Sequence, residues 1–249
     1  MMDGPTRWLV RPRPDPGAKL RLFCFPYAGG GAAVFHRWPS RLTAGVEVCA
    51  VQLPGRGARY REPAFTSMAD LVEAAAKALL PYLGRAFALF GHSMGALVGF
   101  ELARRLRKDH HLRPVHLFVS GREAPQTPFH NRPLHALPDE EFVAELAALN
   151  GTPKEILGNR EMLEFVMPAL RADFRLSETY LYQAEPPLDC PISAFGGIAD
   201  PRVRPPYLDA WREQTTAAFR RTMMPGDHFF LSSAEPRLLA ALSRELDAD

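Results

Sequence analysis

The residue best placed for covalent chemistry is Ser93, enclosed in Gly91-His92-Ser93-Met94-Gly95. A short apolar run, Phe87 to Phe90, precedes it, and a helix-patterned segment, Ala96 to Arg107, follows. Gly-x-Ser-x-Gly in that context fits a sharp strand-to-helix turn that exposes the serine hydroxyl. Side chains at 91 or 95 would collide with nearby backbone in so tight a turn; the alternative reading is a glycine turn with no chemistry. A serine hydroxyl is a weak nucleophile at neutral pH. It needs a histidine to take its proton and a carboxylate to orient that histidine.

After an elbow of this kind the acid comes next in the chain and the histidine last. Among the eight histidines, His36 precedes Ser93, and His92 lies inside the elbow. His110, His111, His116, His130 and His135 come too early, which leaves His228 in Pro225-Gly226-Asp227-His228-Phe229-Phe230. Asp200 is the favoured acid, because it ends the apolar run of ISAFGGIADPRV. Asp189 stands before that run, Asp173 falls in a helix-patterned segment, and Asp227 reads as a loop former beside the histidine. A tetrahedral oxyanion also needs donors fixed in advance. The backbone amide of Met94, opening a helix, is one. The amide of Ala28 in Pro26-Tyr27-Ala28-Gly29-Gly30-Gly31 is the second, unless those glycines form only a flexible turn.

These residues must be held by a scaffold. Apolar runs at Leu20 to Pro26, Val46 to Leu53, Phe87 to Phe90, Val115 to Ser120, Ile192 to Gly196 and Phe219 to Met223 read as strands. They are short, continuously apolar and separated by helices, the pattern of a mostly parallel sheet covered on both faces, so the fold class is α/β. A helix is predicted from about Met68 to Leu83, with Ser67 and Asp70 spaced as a capping box and Leu71, Val72, Ala75, Leu79 and Leu83 as its buried stripe. A closing helix, Glu235 to about Leu246, presents Leu238, Leu239, Leu242 and Leu246. Residues 1 to 19 read as a solvated lead-in, because Pro12, Pro14 and Pro16 interrupt regular hydrogen bonding. Between about 122 and 184 lie helices only, including Asp139 to Leu149 and Arg160 to about Tyr182. That stretch reads as a lid inserted into a single domain spanning 1 to 249. Its Phe142, Val143, Leu146, Phe165 and Leu170 either line an acyl-sized cavity or dock the lid.

Composition narrows the function. The chain is 47% hydrophobic and 23% charged, an ordinary globular balance. No apolar run approaches the roughly 20 residues of a membrane span, and the N-terminus lacks the apolar core of a secretory signal, so a soluble cytoplasmic protein is expected. A net charge of +2 is too small and too dispersed for nucleic-acid binding. Cys24, Cys49 and Cys190 are widely spaced in apolar surroundings, which fits buried free thiols rather than a disulfide framework or a zinc site.

FCFPYAGGGAAVFHRWP, QLPGRGAR, LFGHSMGA, LPDEEFVAEL, GGIADPRV and PGDHFFL, in this order across nearly the whole chain, resemble the stand-alone type II thioesterases of polyketide and nonribosomal peptide synthases. The resemblance implies an α/β-hydrolase fold and an editing hydrolase that clears acyl groups from the phosphopantetheine arm of acyl or peptidyl carrier proteins. It supports Ser93, Asp200 and His228 as the triad, with Ala28 and Met94 as oxyanion donors and no metal or other cofactor. Two positions depart from the family pattern: Tyr27 stands where histidine is frequent, and no charged residue precedes Asp200 in Gly-Ile-Ala-Asp. Arg56, Arg59 and Arg61 either assist docking of an acidic carrier or form an ordinary solvated surface. The same scaffold could instead serve a carboxylesterase or a carbon–carbon bond hydrolase, or a carrier-binding adaptor without turnover.

Overall fold

The computed structural model describes residues 7–130 and 132–247. Its strands are β1 (Leu9–Val10), β2 (Leu20–Phe25), β3 (Val46–Val51), β4 (Ala86–His92), β5 (His116–Ser120), β6 (Ile192–Gly197) and β7 (Phe219–Met224). They form one sheet in the order β1-β3-β2-β4-β5-β6-β7, parallel throughout except for the β1–β3 pair. The helices are α1 (Met68–Leu79), α2 (Met94–His110), α3 (Asp139–Ala148), α4 (Lys154–Leu157), α5 (Arg160–Glu178), α6 (Pro205–Asp209), α7 (Phe230–Ser233) and α8 (Glu235–Asp247).

Alternation along β2 shows why both faces are apolar. Phe23 and Phe25 join a core with the stripes of α1 and α2, whereas Leu22 and Cys24 join a second core with Phe35, Trp38 and the leucines of α8. Helices on both faces leave β2 to β6 largely buried, so they read as mostly apolar runs, whereas β7 at the end of the sheet exposes Arg220 and Arg221. The parallel register brings Phe25 beside Gly91, His92 beside Ser120, and Gly197 beside Met224. The loops that follow these strands therefore converge on one edge of the sheet, the usual place for a site in open α/β folds.

Three sequence expectations change. Leu9 and Val10 are not solvated lead-in: they pair with Val51 and Ala50 as an antiparallel edge strand, and Trp8 packs against the core beneath the Arg59 guanidinium at 4.3 Å. The strand ends before Pro12, and the part of the lead-in at residues 1–6 lies outside the described residues. α1 stops at Leu79 because Pro81 cannot continue its hydrogen bonding, and a short 3-10 turn carries the chain on to Leu83. α5 ends at Glu178 rather than near Tyr182; the Tyr180 hydroxyl turns away to donate to Glu101 at 2.5 Å, and the Tyr182 hydroxyl to Gln214 at 3.2 Å.

α3, α4 and α5 occupy the stretch between β5 and β6. Phe142, Leu146 and Leu170 form a small core with Leu134 and Leu137, so these side chains dock the helices to one another. Phe165 faces solvent at 61% exposure. Pro168 lies inside α5 and divides it: the buried residues of the helix all lie beyond it. No helix among the described residues is long and apolar enough to cross a membrane.

Candidate active site

Ser93 occupies the turn between β4 and α2 with φ 54° and ψ −114°, a conformation a serine adopts only under strain. Its amide donates to the Ser120 carbonyl at 2.7 Å, tying the turn to β5. Both flanking glycines are sterically required. A Cβ on Gly91 would stand 2.0 Å from the Gly95 carbonyl oxygen, and one on Gly95 would stand 2.2 Å from that of Phe25. Met94 opens α2, so its amide is among the first-turn donors that have no partner within the helix. Ala28 lies in the turn after β2, closed by Gly30 N–H donating to the Tyr27 carbonyl at 2.9 Å. Gly29 in that turn has φ +79°, the third-position geometry of a type II turn.

The structure brings His228 and Asp200 together. Nδ1 of His228 lies 2.7 Å from Oδ2 of Asp200, and both residues are buried. The carboxylate can only accept from this nitrogen, so Nδ1 carries the proton, and in the neutral imidazole Nε2 keeps a lone pair. The other Asp200 oxygen accepts the Arg202 amide at 2.9 Å. Asp227, as expected of a loop former, accepts the Phe229 amide at 2.9 Å. Asp189 is an exposed partner of Arg113 at 3.0 Å. Asp173 is buried but turned to a different partner, the Gly29 amide, at 2.7 Å.

Ser93, His228, Ala28 and Met94 line one cavity of about 400 Å³. Phe129, Leu149, Phe174, Leu181 and Val203 supply apolar wall. None of the five apolar residues predicted to line or dock a lid is among its lining. Arg122 and Arg202 also face the cavity; burial, followed by the neighbouring Arg202, pushes the Arg122 guanidinium down to about 10. Arg122 donates to the Ser177 hydroxyl at 2.9 Å. Among the described residues no group of three or more His, Cys, Asp or Glu side chains could hold a metal ion.

Sequence reasoning missed two supports of this site. His92, fully buried, bridges the elbow and the histidine loop, with Nδ1 2.9 Å from the Ser120 hydroxyl and Nε2 2.9 Å from the His228 carbonyl. A carbonyl can only accept, so Nε2 carries the proton. Burial, and then the His228 charge, hold the His92 pKa well below the usual imidazole value, so the ring stays neutral. Its place inside the elbow was the only signal available. The second support is Arg56, expected either to meet a carrier or to be solvated. Instead it forms a bidentate pair with Asp173, with Nη2 2.8 Å from Oδ1. Arg59 is likewise turned inward onto Trp8 and Glu62, so Arg61 alone of the three is exposed.

Residues 20–246 match the family model described as "Thioesterase domain". The linear gramicidin dehydrogenase LgrE of Brevibacillus parabrevis is 47% identical over 98% of this chain and 94% of its own length. Its name denotes another chemistry, whereas two similar solved structures are thioesterases. The RedJ thioesterase of the prodiginine pathway in Streptomyces coelicolor superposes with a TM-score of 0.87 at 43% identity, covering 98% of this chain and 91% of its own. BorB, a type II thioesterase of the borrelidin biosynthetic cluster, gives a TM-score of 0.88 at 38% identity, covering 96% and 97%. The sheet and its flanking helices are thus those of an α/β-hydrolase fold.

Proposed function

Because the chain belongs to the thioesterase domain family, whose members hydrolyse thioesters, we propose that it removes acyl groups from the phosphopantetheine arm of carrier proteins through an acyl-Ser93 intermediate. The observation that carries this reading is the buried 2.7 Å contact of Asp200 with His228, which lines the same cavity as the strained Ser93. His228 Nε2 takes the proton of the Ser93 hydroxyl as its oxygen attacks the thioester carbonyl. The Met94 and Ala28 amides donate to the developing oxyanion, and Asp200 stabilises the imidazolium. As the C–S bond breaks, the imidazolium gives its proton to the departing pantetheine sulfur, which leaves as the free thiol. A water deprotonated by His228 then attacks the acyl-serine, and collapse frees the acid and Ser93.

The thioesterases RedJ and BorB, from the prodiginine pathway and the borrelidin biosynthetic cluster, support carrier proteins as partners and an editing role. We also read residues 1 to 249 as one domain in which about 122–184 forms a lid over the cavity, and the protein as cytoplasmic. The test presents one acyl group as a carrier-protein thioester, a small-molecule thioester and an oxygen ester. Fastest turnover on the carrier supports the reading. Preference for the oxygen ester favours a carboxylesterase, and carrier binding without any turnover favours an adaptor.

A further inference from the structure

The loop bearing the Ala28 amide is rich in glycine, and such backbone does not hold a donor in place by itself. What holds it comes from α5, far away in sequence. Asp173 accepts the Gly29 amide at 2.7 Å through Oδ2, and the same carboxylate receives both Arg56 Nη atoms. Arg56 in turn reaches the Gly30 carbonyl at 3.4 Å and the Pro54 carbonyl at 3.1 Å. Asp173 is 2% exposed. One turn earlier on the same face of α5, Leu170 presses on the loop so closely that a Cβ on Gly29 would lie 2.3 Å from its Cδ2.

A buried carboxylate with this many donors is more than a surface ion pair. It grips the central peptide of the Tyr27–Gly30 turn, next to the peptide whose N–H the proposed mechanism assigns to the oxyanion. Resting on the acyl-serine reading above, we propose that Asp173, held by Arg56, is a positioning residue that presets the Ala28 amide for the oxyanion. The seat of α5 and the geometry of the oxyanion loop are then one structural unit.

Asp173→Asn keeps the shape but offers a single acceptor oxygen, and it sets an NH2 against the Gly29 and Arg56 donors. Steady-state hydrolysis of a small acyl thioester and inhibition by a matching trifluoromethyl ketone, which forms a tetrahedral oxyanion on serine, test the idea. Losing one well-placed oxyanion donor costs about 10²- to 10³-fold in kcat, so misplacing one should lower kcat by about tenfold or more. KM should stay within about twofold, while ketone affinity falls by the same factor as kcat/KM. Arg56→Lys, which retains the charge but not the bidentate pair, should shift both quantities the same way by a smaller factor, and it decides the matter if Asp173→Asn does not fold. Unchanged kcat in the folded variants, or a fall in kcat without weaker ketone binding, overturns the proposal. Ser93→Ala separates the two levels: turnover that survives it overturns the acyl-serine reading, and this inference with it.

Discussion

His92 shows how much of the site rests on residues that do no chemistry. Its ring joins the Ser120 hydroxyl to the His228 carbonyl from a fully buried position, and its pKa is depressed chiefly by that burial. Between the depressed value and the ordinary 6.5, the unfolded chain binds a proton that the folded chain does not. The His92 contribution to stability is therefore complete above about pH 6.5 and is lost as the pH falls below it. Urea midpoints measured from pH 7.5 to pH 5 should decline, and His92→Gln should flatten that decline; parallel curves would count against it. Asp200→Asn, which disfavours the Nδ1-protonated tautomer of His228, is expected to lower kcat by about 10⁴-fold while leaving the cavity intact. The pairing of His228 with Asp200 and the strained turn at Ser93 were legible because chain order and strand ends select those positions. His92, Asp173 and Arg56 were not, since their partners lie 136, 144 and 117 residues away in the chain.

At the scale of elements, β2 to β6 were readable because helices on both faces leave them largely apolar. β1 was not, since two residues carry no periodicity and the prolines after it suggest loop. Along α3 and α5 an apolar residue can face a neighbouring helix, a cavity or solvent, and only packing decides which. Phe142 is fully buried in the small core, edge-on to Phe174 at 5.4 Å, whereas Phe165 is 61% exposed. Phe142→Ala should therefore cost about 3–5 kcal/mol in urea unfolding. Phe165→Ala should stay within about 0.5 kcal/mol. Equal costs would mean that the packing of these helices is wrongly assigned.

For the whole molecule, two cores on opposite faces of one sheet bury all three cysteines as free thiols. Burial raises the Cys190 thiol to about 12 and Cys24 well above its usual value. Iodoacetamide at pH 8 should leave the folded protein unlabelled and modify three sites after unfolding in urea, as read by intact mass. Rapid labelling of the native protein would show that the cores open. The same convergence of loops on one sheet edge gives the site its central claim, a covalent acyl-Ser93 intermediate. The most direct test is to mix the protein with a carrier-bound acyl thioester, quench in acid during steady turnover and map acyl mass by peptide. The expected result is the acyl mass on the peptide containing Ser93, absent from Ser93→Ala together with turnover. Steady hydrolysis with no acyl adduct, or an adduct on another residue, would contradict it.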